Sequence, residues 1–252
     1  MMCDPQRGDR PAGAGNQEAT AGRLVVGSWN MSHWTAAKAR TVFDDVGADV
    51  LALQETHLAA VPLQWAHGTA RQAGWHLLHG HPVRLVRGGV FGRSCGVGFI
   101  VRSGLAAAAA PPTGTAWRFL HLACRLHAIR LEPRPGLPRG LVVLSVYAPL
   151  QVRQQGVERK KFVDSLQQLT HHLDLQVPTL LLGDFNGSAV PSRDFLGDSS
   201  ARRDACPLLR HLLGPGGAWV DVHAAMLPDP LPWTFQLLDR TGNCQLAAST
   251  WC

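Results

Sequence analysis

No two of the six cysteines, at positions 3, 95, 124, 206, 244 and 252, form a CxxC pair or a zinc-ligand spacing. This excludes a zinc finger and a disulfide-stapled scaffold, and reduced thiols are expected. No apolar run approaches the ~20 residues needed to cross a bilayer. The stretch Ala106 to Ala110, followed by Pro111-Pro112, is read as a small-residue linker. No amphipathic membrane-binding helix is visible. The first residues lack the basic-then-apolar layout of a signal peptide. The expected location is therefore intracellular and not secreted, with the nucleus as one candidate compartment. Acidic residues are in deficit, 18 against 24 Lys plus Arg, giving a net charge of +6. That bias favours a polyanionic partner, such as nucleic acid or an acidic membrane surface.

The chain has 252 residues and is 46% hydrophobic, so it can bury a core. Residues 1–22 hold almost nothing to bury and read as a disordered leader, with one domain over 23–252. Leu24 to Asn30 reads as a strand, Thr35 to Val46 as a helix, and Val50 to Glu55 as a second strand. Pro62 to Ala73 reads as a helix and Trp75 to Leu78 as a short strand. His79 to Ser94, with Arg84, Arg87 and Arg93, reads as a mobile basic loop, either a solvated surface or a track for a phosphate backbone. Gly96 to Val101 is a strand, and Trp117 to Leu131 is one long strand or a hairpin. Leu141 to Tyr147 is a strand, Arg153 to Leu175 the longest helix, and Thr179 to Asn186 a strand. Ala205 to Leu213 reads as a helix, Trp219 to His223 as an edge strand, and Trp233 to Phe235 as a strand start. Gln236 to Cys252 shows no clear period. The order β-α-β-α, a run of strands, then β-α-β argues two packed sheets with helices outside.

Four of these apolar runs end in a polar side chain: Asn30, Glu55, Tyr147 and Asp184, the last with Asn186 two residues on. On an extended chain Asp184 and Asn186 share a face. An ionised Asp at a buried strand tip is costly unless paired or bound to a cation. The set is oxygen-rich, suited to Mg²⁺ or Mn²⁺ and to phosphate. The plainer alternative for each is a strand that ends in a solvated turn.

Asn30, Gln54-Glu55, Tyr147-Ala148-Pro149 and Gly183-Asp184-Phe185-Asn186, in this order and spacing, resemble the endonuclease/exonuclease/phosphatase superfamily over residues ~23 to ~246. The Trp29-Asn30 start, the Gln54-Glu55-Thr56-His57 stretch and the basic charge look most like retrotransposon and apurinic-site endonucleases. The resemblance implies a DNase I-like, four-layered α/β sandwich of two mixed sheets with helices on the outer faces. It implies metal-dependent phosphodiester hydrolysis, with DNA as partner and Mg²⁺ or Mn²⁺ as cofactor; a monomer is assumed. Glu55 would then be the metal ligand, with Asn30 placing the metal or its waters. Tyr147 would hydrogen-bond a phosphate oxygen, Asp184 would orient or deprotonate the attacking water, and Asn186 would hold the phosphate. Members of the family carry an Arg-Leu/Ile-Asp stretch and then a Ser-Asp-His; here Gln245-Leu246-Ala247 stands at the first, and no Ser-Asp-His precedes Cys252. A C-terminally truncated or degenerate member lacking its last strands is expected, with impaired activity. His57, His223 and the pair His171-His172 are the candidate substitutes for the missing histidine. Ser32 stands where relatives carry a further acid. The alternatives are a catalytically dead nucleic-acid-binding remnant and a phosphatase or phosphodiesterase acting on a phospholipid or small phosphorylated substrate.

Overall fold

The computed structural model describes residues 24–83, 95–110, 114–149, 156–171, 173, 177–187, 207–213, 219–220, 235–238 and 244–247. The sequence-predicted leader, most of the basic loop, His172 and His223 lie outside them.

The chain builds two four-stranded sheets in succession. The first contains β1 (Val26–Asn30), β2 (Val50–Gln54), β3 (Trp75–His79) and β4 (Val97–Arg102), in the order β1-β2-β4-β3. Helix α1 (Ala36–Asp45) carries the chain from β1 to its parallel neighbour β2, and α2 (Ala60–Gln72) leads into β3. Thr35 caps α1 by accepting the Lys38 N–H, 3.2 Å. The second sheet contains β5 (Ala107–Ala109), β6 (Leu126–Leu131), β7 (Leu141–Tyr147) and β8 (Thr179–Asp184), in sequential order. Here α4 (Gly156–His171) makes the crossover between the parallel strands β7 and β8, and α3 (Gly114–Leu122) precedes β6. Helix α5 (Pro207–Leu213) packs on the same side. Strands β9 (Phe235–Leu238) and β10 (Cys244–Ala247) pair antiparallel as a separate hairpin.

Strand alternation sorts side chains into three cores between four layers of helices and sheets. Leu51 and Leu53 of β2 face α1 and α2, meeting Val42, Phe43 and Ala70. Val50 and Ala52 face the other way and meet Ile129, Leu131, Leu141 and Val143 of the second sheet. Leu126, Ala128, Leu144 and Val146 face α3, α4 and α5, against Leu120, Phe162, Leu166 and Leu212. The DNase I-like sandwich of two mixed sheets between helical layers is the observed architecture.

Two readings of the sequence are corrected. Trp117 to Leu131 is neither one strand nor a hairpin, but helix α3 followed by strand β6. Ala116, Trp117 and Leu120 recur on one helical face, and all are buried. The helix then ends in a two-bond C-terminal cap: Arg125 N–H reaches Leu120 O, 3.0 Å, and Cys124 N–H reaches His121 O, 3.0 Å. Cys124 takes the left-handed conformation this cap requires, φ 57°. Nor is Ala106 to Ala110 a linker: Ala107–Ala109 is β5, an edge strand paired antiparallel with Ile129–Leu131. Backbone pairing needs no large side chain, so composition does not reveal it.

Candidate active site

Asn30, Tyr147 and Asp184 each continue the inward row of their own strand, while Glu55 follows the last residue of β2. On β1 that row is Val26, Ser28, Asn30; on β2 it is Val50, Ala52, Gln54; on β7 it is Leu141, Val143, Ser145, Tyr147; on β8 it is Leu180, Leu182, Asp184. The layer between the sheets is thus apolar at one end and becomes polar toward the C-terminal strand ends. β1 faces β8, and β2 faces β7, across that layer. Parallel crossovers at β1-α1-β2 and β7-α4-β8 bring all four C-terminal ends to one edge of the sandwich.

The polar part begins with a buried bridge between the sheets. Gln54 Nε2 donates to Ser145 Oγ at 3.0 Å, and Ser145 Oγ donates to Leu53 O at 3.1 Å. Gln54 Oε1 accepts from Ser28 Oγ at 3.2 Å. Gln54 and Ser145 are fully buried. One step further out, Tyr147 OH donates to Glu55 Oε1. By strict alternation Glu55 would face the helices; its positive φ of 51° breaks the pleat.

Asp184 joins Asn30 and Asn186. Its Oδ2 accepts from Asn30 Nδ2 at 2.8 Å and its Oδ1 from the Asn186 N–H at 2.8 Å. Asn30 Oδ1 in turn accepts the Ser32 N–H, 2.8 Å. Asn186 Nδ2 donates to Ala148 O, 2.6 Å. The expectation that Asp184 and Asn186 share the face of one strand is corrected: β8 ends at Asp184, and Asn186 sits in a turn at φ 47°. The turn is closed by the Asp184 side chain itself. Ser32, Glu55, His57 and Asn186 all have positive φ, four of the five such non-glycine residues among those described. Backbone of this kind gathers where structure is fixed for function.

Burial pushes the Asp184 carboxyl above the usual carboxylate range; the nearby Glu55 charge adds to this, while the Asn186 and Asn30 hydrogen bonds and Arg159 oppose it. Two carboxylates that repel, with amide groups around them, fit a hard cation that keeps most of its waters. Among the described residues, no three His, Cys, Asp or Glu side chains are grouped to hold a metal ion.

Of the candidate histidines, His57 lies beside Glu55, with its ring edge-on to His33 at 5.8 Å. Burial lowers its pKa, the Glu55 charge opposes this, and His33 adds to it. His171 closes α4 with its ring 5.9 Å from His211 of α5, so it does not join the site. Ala247 is the last residue of β10, opposite Phe235.

Sequence reasoning missed the Gln54–Ser145 bridge and two buried arginines, Arg125 and Arg159. The bridge had a signal: Ser28, Gln54 and Ser145 are polar residues inside apolar runs.

The model of the endonuclease/exonuclease/phosphatase family matches residues 27–246. The catalytic domain of Xenopus laevis APE2 superposes with a TM-score of 0.52 at 22% identity, covering 70% of this chain and 62% of that one. The AP endonuclease LMAP from Leishmania major gives a TM-score of 0.49 at 19% identity, covering 68% and 57%. The 3′-5′ exonuclease NExo from Neisseria meningitidis gives 0.45 at 18%, covering 68% and 61%. The aligned part is about three fifths of each of these chains. No curated protein matches. No helix among the described residues is long and apolar enough to cross a membrane.

Proposed function

We propose, from the premise that this chain belongs to the endonuclease/exonuclease/phosphatase family, that it hydrolyses phosphodiester bonds in DNA as a metal-dependent endonuclease of the retrotransposon type. The observation that carries the reading is the gathering of Asn30, Glu55, Tyr147 and Asp184 at one edge of the sandwich as two hydrogen-bonded pairs, Asn30 with Asp184 and Tyr147 with Glu55. A net charge of +6 supports a polyanionic substrate. The Trp29-Asn30 start and the Gln54-Glu55-Thr56-His57 stretch support the retrotransposon type.

Glu55 and Asn30 would hold Mg²⁺ or Mn²⁺ in its water shell. When bound, the ion supplies charge neutralisation at the non-bridging phosphate oxygens. Asp184 orients a water and takes its proton, and burial, which raises its pKa, makes it a stronger proton acceptor than an ordinary carboxylate. Asn30 and the Asn186 backbone fix the carboxylate so that it presents one direction to that water. Tyr147 OH, now donating to Glu55, turns to a phosphate oxygen when a substrate arrives. Asn186 adds an amide to the same phosphate.

A second reading is favoured by Gln245-Leu246-Ala247: a protein that binds nucleic acid without cleaving it. The test is nicking of supercoiled plasmid. Nicking with Mg²⁺ that is lost in Glu55→Ala supports the endonuclease. Salt-sensitive DNA binding without nicking in any metal refutes it and leaves the binding protein. Turnover of inositol phosphates or sphingomyelin above that of DNA would instead assign a phosphatase or lipid phosphodiesterase.

A further inference from the structure

The cap that ends α3 delivers Arg125 to the head of β6, directly behind Tyr147. Arg125 is 3% exposed, and its guanidinium carbon lies 5.0 Å from the centroid of the Tyr147 ring. Its Nη2 donates to Glu158 Oε1 in the first turn of α4, 3.2 Å. Its Nε and Nη1 find no hydrogen-bond partner among the described residues. The Arg125 carbonyl accepts the Tyr147 N–H at 2.9 Å. Tyr147 is therefore gripped at three points: backbone, ring face and hydroxyl. The neighbouring Arg159, also buried, donates from Nη1 to Pro149 O and from Nη2 to Phe185 O, the latter at 3.4 Å. One turn of α4 thus braces both loops of the site.

Stability alone does not explain Arg125. A buried guanidinium with one carboxylate partner and two unmade hydrogen bonds is no better than neutral against an apolar side chain of similar volume. What the charge supplies is local. A cation held against the ring face restricts the ring. It also draws electron density from the phenol and makes its O–H a stronger donor.

We propose that Arg125, fixed by Glu158, is a positioning residue that sets the orientation and donor strength of the Tyr147 hydroxyl toward a phosphate oxygen. This rests on the phosphodiesterase reading above for the phosphate, but not for the effect on Tyr147. The test exploits a count: Tyr147 is the only tyrosine in the chain. Protein grown with 3-fluorotyrosine gives a single ¹⁹F resonance. In Arg125→Met that resonance should move by more than its linewidth and broaden, and its response to added Mg²⁺ should weaken, while the melting temperature holds or rises. Glu158→Gln should move it in the same direction by less, and it serves alone should Arg125→Met fail to fold. In nicking assays Arg125→Met should lose about tenfold in kcat with KM unchanged. Arg125→Lys should not restore the wild-type line, because an ammonium lacks the planar face that lies against the ring. A resonance unmoved in both Arg125→Met and Glu158→Gln overturns the proposal. Absence of nicking in wild-type protein would refute the endonuclease reading and leave the resonance to decide the role of Arg125.

Discussion

The two sheets are pinned to each other just beneath the site by Gln54, and the strength of that pin can be worked out and measured. Gln54 is fully buried and gives up two hydrogen bonds on mutation, one to Ser145 and one from Ser28. Gln54→Leu keeps most of the volume. Ser145 still donates to Leu53 O, and Ser28, only half-buried, recovers a water. The expected cost is ~1–2 kcal/mol, roughly one buried hydrogen bond with partial compensation. Gln54→Ala adds a cavity between the sheets and should cost ~3–4 kcal/mol. Ser145→Ala alone leaves Gln54 Nε2 buried without its partner, ~1–3 kcal/mol. If the bridge is real, the double variant Gln54→Leu, Ser145→Ala should be less destabilised than the sum of the singles by about 1 kcal/mol. Urea denaturation of the four proteins at one pH measures the cycle. A coupling energy of zero, with Gln54→Ala within ~0.5 kcal/mol of wild type, would refute the bridge.

Three further outcomes follow from other positions. Gly183 stands at φ 147°, where a Cβ would overlap the Val146 carbonyl across the β7–β8 ladder; Gly183→Ala should lose more than ~4 kcal/mol or fail to fold, and a variant that melts with wild type refutes this contact. Asp184 holds its proton more tightly folded than unfolded, so wild-type stability relative to Asp184→Asn should fall as pH rises from about 4 toward neutrality, and added Mg²⁺ should narrow the gap; parallel thermal-melt curves for the two proteins would contradict this. His127 is buried against Phe99, its pKa lowered to about 3 by burial and by His121 and His79, and neither ring nitrogen has a partner among the described residues. Its folded value lies below its unfolded value, so wild-type stability drops as pH falls below ~6.5; His127→Leu should gain about 2 kcal/mol over wild type between pH 7 and 5, and equal pH dependence would refute the assignment.

The sequence was most legible where hydrophobic period and function coincide. Asn30, Glu55, Tyr147 and Asp184 each cap an apolar run, so buried strands and polar tips announced themselves together. Helix α1 was readable from the helical spacing of Ala39, Val42 and Phe43, though its start at Thr35 is the cap and not the first turn. It was illegible where backbone conformation decides. The left-handed Cys124 splits what composition presents as one apolar segment, and nothing in the residue type marks it. The turn at Asn186 defeats the inference from extended-chain geometry for the same reason. β5 is all alanine and owes its existence to the edge of β6. Arg125 and Arg159 carry no local mark of burial, because tertiary partners, not local pattern, bury them. β10 within the unpatterned stretch after Phe235 was not legible either.

The site is divided between the sheets: Asn30 and Glu55 belong to one, Tyr147 and Asp184 to the other. In the chain, the first pair precedes residue 56 and the second follows residue 146. The molecule is therefore a seam, with its working residues stitched across the line where two halves meet. A sliding of one sheet by a single residue would leave each half internally intact, yet part Asn30 from Asp184 and Glu55 from Tyr147. The integrity of the whole sandwich is read out at two side-chain contacts.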